Sequence, residues 1–219
     1  MTEEKKALAS LSRRLYRKGW MEGTGGNLSM RVEGRILITP SGAHKGRIHA
    51  EDILELNEEG VPIGDDARKP SAETSIHRAI YRVLPHAGAI IHVHTPEAIL
   101  TSLLDKEEIR LPPLEVIKGL GVALPEEAPP IPIFENDPFV ERIAECIERR
   151  LKALSSPLPA LLIRNHGTTA WGDTLEDALR HIELAEFCFR VMIASPCPRH
   201  FHSEGVIENS PRSTQKGDF

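Results

Sequence analysis

The chain has 219 residues and a formal net charge of −5, with 40% hydrophobic and 27% charged residues. This composition is ordinary for a globular protein with a core, and the length fits one large domain or two small ones. No basic block occurs and aromatic residues make up only 5%, so we expect neither nucleic acid nor an anionic membrane as a partner. No apolar run is long enough to span a bilayer. Three cysteines without Cys-x-x-Cys spacing indicate a reducing, cytoplasmic location.

The first half of the chain predicts two helices and three strands. Leucines at helical spacing predict an amphipathic helix over residues 4–18, followed by a glycine-rich segment. The predicted strands are rich in apolar residues, are bounded by turn signals, and cover residues 28–32, 35–39 and 53–56. A second helix is predicted to begin at its cap, Ser71, and to run through Tyr81.

The second half predicts alternating helices and strands around a Pro-rich region. In chain order these are a strand at 90–95, a helix at 96–104, loops with short strands over 111–135, a helix at 137–153, a buried strand ending at a turn within 161–167, and a helix from Thr174 to about Ala194. Asp137 is the expected cap of the 137–153 helix, and Thr174 opens a capping box. We interpret residues 1–195 as a single α/β domain and residues 196–219 as a polar, Pro-containing tail.

The most informative segment is Ile90-Ile91-His92-Val93-His94-Thr95, whose β-branched residues predict a strand. Because side chains on a strand alternate between faces, His92 and His94 project from the same face, with α-carbons roughly 6.5–7 Å apart. A third histidine, His166, follows the buried strand near residue 163. Three imidazoles with an open fourth position are the pattern of a catalytic zinc site. The alternative is that all three are hydrogen-bonded core histidines.

Three segments carry the polar groups that an anion requires, and together they suggest a phosphorylated substrate. The first, residues 23–29, is not a dinucleotide motif, because Leu28 stands where a third glycine is needed and the segment follows a helix rather than a strand. The second is Thr39-Pro40-Ser41-Gly42 with Lys45, and the third is Lys69-Pro70-Ser71-Ala72-Glu73 at a helix start. Each segment taken alone is equally typical of a tight turn or a helix cap.

Two carboxylates are candidates for proton transfer. Glu73 begins a helix beside the third segment, and its alternative role is to complement the helix dipole. Glu115 lies between apolar residues in Leu114-Glu115-Val116-Ile117-Lys118-Gly119, and its alternative role is a surface ion pair with Lys118. Spacing alone leaves both alternatives open.

In order and spacing, these segments resemble the class II aldolase/adducin family of metal-dependent sugar-phosphate enzymes. The matching motifs cover most of the chain and are Gly25-Gly26-Asn27-Leu28-Ser29, Ile38-Thr39-Pro40-Ser41-Gly42, Ser71-Ala72-Glu73-Thr74, His92-Val93-His94-Thr95 and Asn165-His166-Gly167. The resemblance implies a three-layer α/β/α sandwich around a mainly antiparallel central sheet, and a homotetramer with sites at subunit interfaces. It implies one zinc ion per subunit on His92, His94 and His166. It implies phosphate binding by Asn27, Ser41, Gly42, Lys45 and Ser71.

Within the family, the chain is most similar to members that dehydrate 5-methylthioribulose 1-phosphate to 2,3-diketo-5-methylthiopentyl 1-phosphate in methionine salvage. The segments that carry this similarity are Lys69–Thr74, Leu114–Gly119, Ile133–Asp137 and Trp171-Gly172. The similarity implies that Glu115 transfers the proton, with Glu73 as the second candidate, because Glu73 matches the acid/base of the related aldolases. Retro-aldol cleavage of a ketose phosphate, of the fuculose- or rhamnulose-phosphate type, and 4-epimerisation of ribulose phosphate are the alternative reactions. A non-catalytic interaction module and a structural zinc protein are disfavoured by the intact histidines and by the lack of a fourth ligand.

Overall fold

The computed structural model describes residues 2–64, 68–105 and 107–195, so the predicted tail over 196–219 lies outside the described residues. The helices are α1 (Thr2–Arg17), α2 (Thr74–Val83), α3 (Pro96–Thr101), α4 (Val140–Ala153) and α5 (Leu175–Ala194). The strands are β1 (Asn27–Val32), β2 (Arg35–Ile38), β3 (Leu54–Leu56), β4 (Ala89–Val93), β5 (Glu108–Ile109), β6 (Ile131–Phe134), β7 (Ala160–Ile163) and β8 (Gly167–Gly172).

The strands form one sheet in the order β3-β2-β1-β4-β8-β7-β6-β5. Neighbouring strands are antiparallel except for the parallel pair β6 and β7. In the register, His92 on β4 lies opposite Asn27 on β1 and opposite Thr169 on β8. The end of β4 therefore meets the starts of β1 and β8 at one end of these central strands, where the predicted site residues Asn27 and His92 lie.

Helices cover both faces of the sheet. Leu15 of α1 and Phe189 of α5 belong to one apolar core with Ile91 of β4, whereas Ile80 of α2 belongs to a second core with Ile90. Because Ile90 and Ile91 are adjacent in a strand, they point to opposite faces and each anchors one helical layer. The predicted three-layer α/β/α arrangement is thereby confirmed.

Helices α2 and α4 begin later than the sequence predicted. Helix α2 begins at Thr74, and Ser71 instead forms a turn before it, in which the Ser71 hydroxyl accepts from the amide of Glu73 at 3.3 Å. Helix α4 begins at Val140, and the Asp137 carboxylate accepts from the amide of Phe139 at 2.7 Å in a similar turn. Such side chains stabilise the turn that leads into a helix as readily as they cap the helix itself. The predicted cap Thr174 is confirmed by its acceptance from the amide of Asp177 at 3.1 Å.

The strand after His166 was not predicted. Strand β8 reads Gly-Thr-Thr-Ala-Trp-Gly and is buried on both faces, so it lacks the alternation that marks a half-exposed strand. Glycine at each end also weakens its strand signal. Among the described residues, no helix combines the length and apolar character needed to cross a membrane.

Candidate active site

Four side chains able to bind a metal ion converge where β4 ends: Glu73, His92, His94 and His166, whose ligand atoms all lie within 4.8 Å of one another. His92 Nε2 lies 2.9 Å from His94 Nε2. Glu73 Oε1 lies 2.7 Å from His166 Nε2 and 3.5 Å from His92 Nε2. Nitrogen ligands of a tetrahedral zinc ion lie about 3.3 Å apart, so this spacing suits a single cation.

The strand and its neighbours orient the first two histidines. His92 Nδ1 lies 2.8 Å from the hydroxyl of Thr169, and this contact leaves Nε2 directed into the cluster. The amide of His94 donates to the carbonyl of Trp20 at 2.9 Å. A β-carbon at Gly25 would lie 2.7 Å from His94 Nδ1, so the glycine-rich segment can cover this ring only without a side chain at that position.

A tight turn between β7 and β8 positions the third histidine. Asn165 adopts a left-handed conformation with φ of 54°, which asparagine tolerates better than most residues, and the amide of His166 donates to the carbonyl of Ile163 at 3.1 Å. A β-carbon at Gly167 would lie 2.1 Å from the carbonyl oxygen of Val93. The Asn-His-Gly sequence is therefore explained by the turn that brings His166 back beside β4.

The electrostatics of the cluster suit a divalent cation. Burial lowers the pKa of His92 to about 3, against the opposing effect of Glu73, and burial also lowers the pKa of His94. Neutral imidazole is the form that binds a metal. Burial raises the pKa of Glu73, but its interactions with His92, His166 and His94 outweigh burial and hold that pKa below its ordinary value. One carboxylate beside imidazoles is a donor set that fits zinc or a similar ion.

The three predicted anion-receptive segments lie next to one another. Pro40 and Pro70 form an isolated β-bridge, and the amide of Ser41 donates to the carbonyl of Lys69 at 3.0 Å. The Ser41-Gly42 loop is exposed and Ser71 is half-buried. The second segment, which contains Ser41-Gly42, and the third, which contains Ser71-Ala72, thus form one polar surface. Glu73 directly follows Ala72 and lies beside this surface.

Asn27 and Lys45 tie these segments to the cluster. The Asn27 amide donates to Glu73 Oε2. The Lys45 ammonium donates to the carbonyls of Thr24 and Ala43, both at 3.0 Å, and so joins the glycine-rich segment to the Ser41-Gly42 loop. Burial lowers the pKa of Lys45 to about 8, although Glu73 opposes the shift. The sequence did not indicate that these two residues have partners within the chain.

Glu115 lies outside the four-residue cluster. It is the first residue of a 3₁₀ turn, Glu115–Leu120, and its side chain is 80% exposed and bonded to Lys118 at 2.7 Å. Ile117 is buried, and the carbonyl of Gly119 accepts from Arg180 of α5 at 3.3 Å, so the backbone of the turn is held against that helix. Within one chain, then, Glu115 makes the surface pair that its spacing allowed.

Beneath the cluster lies a buried hydrogen-bonded group of Ser29, His77 and Tyr81, which the sequence did not predict. The Ser29 hydroxyl lies 2.7 Å from His77 Nδ1 and 2.8 Å from the Tyr81 hydroxyl. Ser29 follows Asn27 by two residues and therefore points to the same face of β1, towards α2. His77 is fully buried, as expected for a packed histidine rather than a ligand.

We expect His77 to make folding sensitive to acid. Burial lowers its pKa to about 4, so between pH 6.5 and 4 the unfolded chain binds a proton that the folded chain rejects. Its contribution to the free energy of unfolding is fully present above pH 6.5 and is lost as the pH falls through 4. Urea unfolding at several pH values should show wild type losing up to about 3 kcal/mol relative to His77→Leu across this window. Curves for wild type and His77→Leu that run parallel across this window would contradict the prediction.

The fold and this cluster define the class of protein: the chain belongs to the class II aldolase and adducin family. Residues 6–193 match the family described as the Class II Aldolase and Adducin N-terminal domain. The predicted family is thereby confirmed.

Individual members of the family resemble this chain over most of its length. The chain is 39% identical over 205 residues to the methylthioribulose-1-phosphate dehydratase of Microcystis aeruginosa, covering 90% of this chain and 100% of that protein. It is 41% identical over 174 residues to the protein of the same name from Methylococcus capsulatus, covering 78% and 84%. The crystal structure of L-fuculose-1-phosphate aldolase from Thermus thermophilus has a TM-score of 0.69 at 26% identity, covering 85% and 91%.

Proposed function

We propose that this protein is a hydro-lyase that dehydrates 5-methylthioribulose 1-phosphate to 2,3-diketo-5-methylthiopentyl 1-phosphate, a reaction of methionine salvage. The observation that carries the proposal is the convergence of Glu73, His92, His94 and His166 in a chain whose relatives at 39% and 41% identity are methylthioribulose-1-phosphate dehydratases. The cluster supplies a reaction centre, and the relatives indicate the substrate.

We further propose zinc as the ion, one per subunit, held by His92, His94 and His166 with Glu73 adjacent. When bound there, a zinc ion acts as a Lewis acid on a carbonyl oxygen. The low pKa values of His92 and His94 support this assignment, because both rings are ready to bind a metal without first losing a proton at neutral pH. The position of Glu73 between the rings allows it either to bind the ion or to orient His166.

The substrate phosphate is assigned to Asn27, Ser41, Gly42, Lys45 and Ser71, the residues of the three joined segments. The exposed Ser41-Gly42 loop offers the Ser41 hydroxyl to solvent, and the half-buried Ser71 lies in the segment bonded to this loop. Lys45 supplies positive charge from beneath the surface while its ammonium holds the carbonyls of Thr24 and Ala43. Its role is therefore to organise the loops and to attract the anion at short range.

Glu115 is assigned as the proton carrier. Dehydration removes the proton from C3 and the hydroxyl from C4 as one water molecule, and the enol that remains ketonises to the 2,3-diketone. A carboxylate can take the first proton and deliver it to the departing hydroxyl, so a single residue balances the reaction. The exposed ion pair with Lys118 contributes little stability and leaves the Glu115 side chain free to turn. Glu73 is the second candidate for this role.

A homotetramer with sites at subunit interfaces and a cytoplasmic location complete the proposal. Helices α3 and α5 contact each other, and exposed apolar side chains lie on or next to them. These are Leu100 on α3, Leu103 and Leu104 after it, and Phe187 on α5. Such a surface is typically covered by a partner. The two cysteines within the described residues, Cys146 and Cys188, are free thiols, as in a reducing compartment.

The alternative reaction is retro-aldol cleavage of a ketose 1-phosphate. It is favoured by the structural similarity to the Thermus thermophilus aldolase and by the place of Glu73 in the cluster. The cluster is compatible with both reactions, so the products must distinguish them.

The test is an assay of zinc-loaded protein with 5-methylthioribulose 1-phosphate, following the diketone by absorbance and the product by mass. We expect a product lighter by one water, lost on chelation and restored by zinc. Dephosphorylated 5-methylthioribulose is the control for the phosphate site, and it should react with a much lower kcat/KM. Dihydroxyacetone phosphate and an aldehyde would select the aldolase, and unchanged substrate with metal bound would reject both reactions on this ketose.

A further inference from the structure

A buried carboxylate with no part in the proposed reaction lies behind the cluster. Glu186, in the middle of α5, is 1% exposed. Its Oε2 accepts from the Thr95 hydroxyl at 2.6 Å, and its Oε1 accepts from the Thr168 hydroxyl at 2.7 Å. Both threonines are themselves fully buried. Each carboxylate oxygen therefore holds a different strand end.

These two strand ends carry two of the histidines. Thr95 directly follows His94 at the end of β4, and Thr168 lies two residues after His166 at the start of β8. Glu186 contacts neither histidine, but it connects the backbone segments from which both project. Any change in the separation of these segments would change the separation of the two imidazoles.

The third histidine has its own support from the same strand. Thr169 contacts His92 Nδ1 on the face towards α2, whereas Thr168 points to α5 on the opposite face. The consecutive residues Thr168 and Thr169 therefore bond to groups on opposite faces of the sheet. Thr169 thus contacts one ring directly, whereas Glu186 acts through Thr95 and Thr168 on the backbone next to the other two histidines.

This carboxylate lies in largely apolar surroundings. Glu186 shares α5 with the buried apolar residues Ile182, Ala185 and Phe189, and burial raises its pKa to about 7 although both threonines oppose the shift. A buried charge carries a desolvation penalty that a well-packed apolar side chain avoids. Leucine would avoid that penalty but would leave the Thr95 and Thr168 hydroxyls without this acceptor, so the carboxylate matches the two threonines that it joins.

We propose that Glu186 is a positioning residue of the metal centre, which sets the spacing of His94 and His166 by joining the ends of β4 and β8 through Thr95 and Thr168. This inference rests on the metal site in the proposed function and is independent of which sugar phosphate reacts. Residues that orient metal ligands from outside the first layer typically change metal affinity by about 10- to 100-fold when replaced.

The test compares zinc affinity, measured by competition with a chromophoric chelator, and the visible absorption spectrum of the cobalt-substituted protein. Glu186→Leu should weaken zinc binding about 10- to 100-fold and alter the cobalt bands. Glu186→Gln, which keeps one donor and one acceptor between the threonines, should restore most of both. The matched control is Glu183→Leu, one turn earlier on α5, where the carboxylate pairs with Arg14 and Lys18 at the surface.

Thermal unfolding of the metal-free proteins separates positioning from folding. Metal-free Glu186→Leu should unfold cooperatively close to the wild-type temperature, because the loss of a buried charge offsets the loss of an acceptor for the two threonine hydroxyls. If it does not fold, Thr168→Val is the second variant, because it removes one of the two contacts at constant volume. Thr95 is unsuitable, since its hydroxyl also accepts from the amide of Ala98 and caps α3.

Three results would overturn the inference. In the first, Glu186→Leu or Thr168→Val binds zinc as tightly as wild type with an unchanged cobalt spectrum, while the metal site itself stands. In the second, Glu183→Leu weakens zinc as much as Glu186→Leu does, which would indicate a general effect on the helix. In the third, wild type binds no divalent metal, which would reject the metal centre of the proposed function together with this inference.

Discussion

Replacement of Glu115 by glutamine is expected to lower kcat by about 10²- to 10⁴-fold, with bound zinc and KM little changed. The amide has nearly the shape of the carboxylate but can neither take the C3 proton nor deliver it to the C4 hydroxyl. Because Glu115 lies outside the four-residue cluster and is 80% exposed, its loss should leave the metal content and the unfolding temperature at wild-type values. The measurement is steady-state kinetics on the methylthioribulose substrate, with zinc content measured on the same samples.

Glu126→Gln is the matched control, since Glu126 is an exposed glutamate in the next 3₁₀ turn, Pro125–Glu127. Near-wild-type turnover in Glu115→Gln would transfer the proton-carrying role to Glu73 or to water. Glu73→Gln then distinguishes these two possibilities. Because Glu73 Oε1 lies 2.7 Å from His166 Nε2, that variant should weaken zinc binding as well as turnover, unlike Glu115→Gln.

Replacement of His94 by alanine is expected to remove the metal and to lower kcat/KM on the order of 10³-fold or more, because Lewis-acid assistance is worth several kcal/mol. The change deletes the nitrogen that lies 2.9 Å from His92 Nε2 and leaves two imidazoles and a carboxylate. Zinc content by elemental analysis and activity at saturating zinc are the two measurements. Excess zinc should rescue activity only weakly, since the third nitrogen ligand is missing.

His86→Ala is the control for this prediction, because His86 is exposed and stands outside the cluster. It should keep one zinc ion per subunit and full activity. If His94→Ala retained stoichiometric zinc and wild-type turnover, the assignment of His94 as a ligand would be wrong. Metal-free unfolding of both variants shows whether the His94 substitution acts on the fold instead.

The pairing of His92 with His94 was predictable because it depends only on the two-residue period of a strand. No knowledge of the neighbouring strands is needed to place both rings on one face. His166 could be predicted as a plausible third ligand, but its position beside the other two histidines could not be derived from strand periodicity. Its position depends on the left-handed turn at Asn165 and on the pairing of β8 with β4, which joins residues more than 70 positions apart.

The start of helix α2 and the strand β8 show where local sequence signals were insufficient to predict secondary structure. Ser71 was predicted to cap α2, but its hydroxyl stabilises a preceding turn and the helix begins at Thr74. Strand β8 escaped prediction because a strand buried on both faces shows no alternation. In both cases residues distant in sequence, rather than the local pattern, select among conformations of similar intrinsic energy.

The sequence by itself determined the family, the layered α/β class, the three histidines and the candidate carboxylates, because these follow from short periodicities and from motif order. Only the tertiary structure decided that Lys45 binds the carbonyls of two loops and that Glu186 connects the strands of His94 and His166. The physical reason is that burial and hydrogen-bond partners are set by contacts between residues far apart in the chain. A residue's type shows which bonds it can make, and the fold selects which of them it makes.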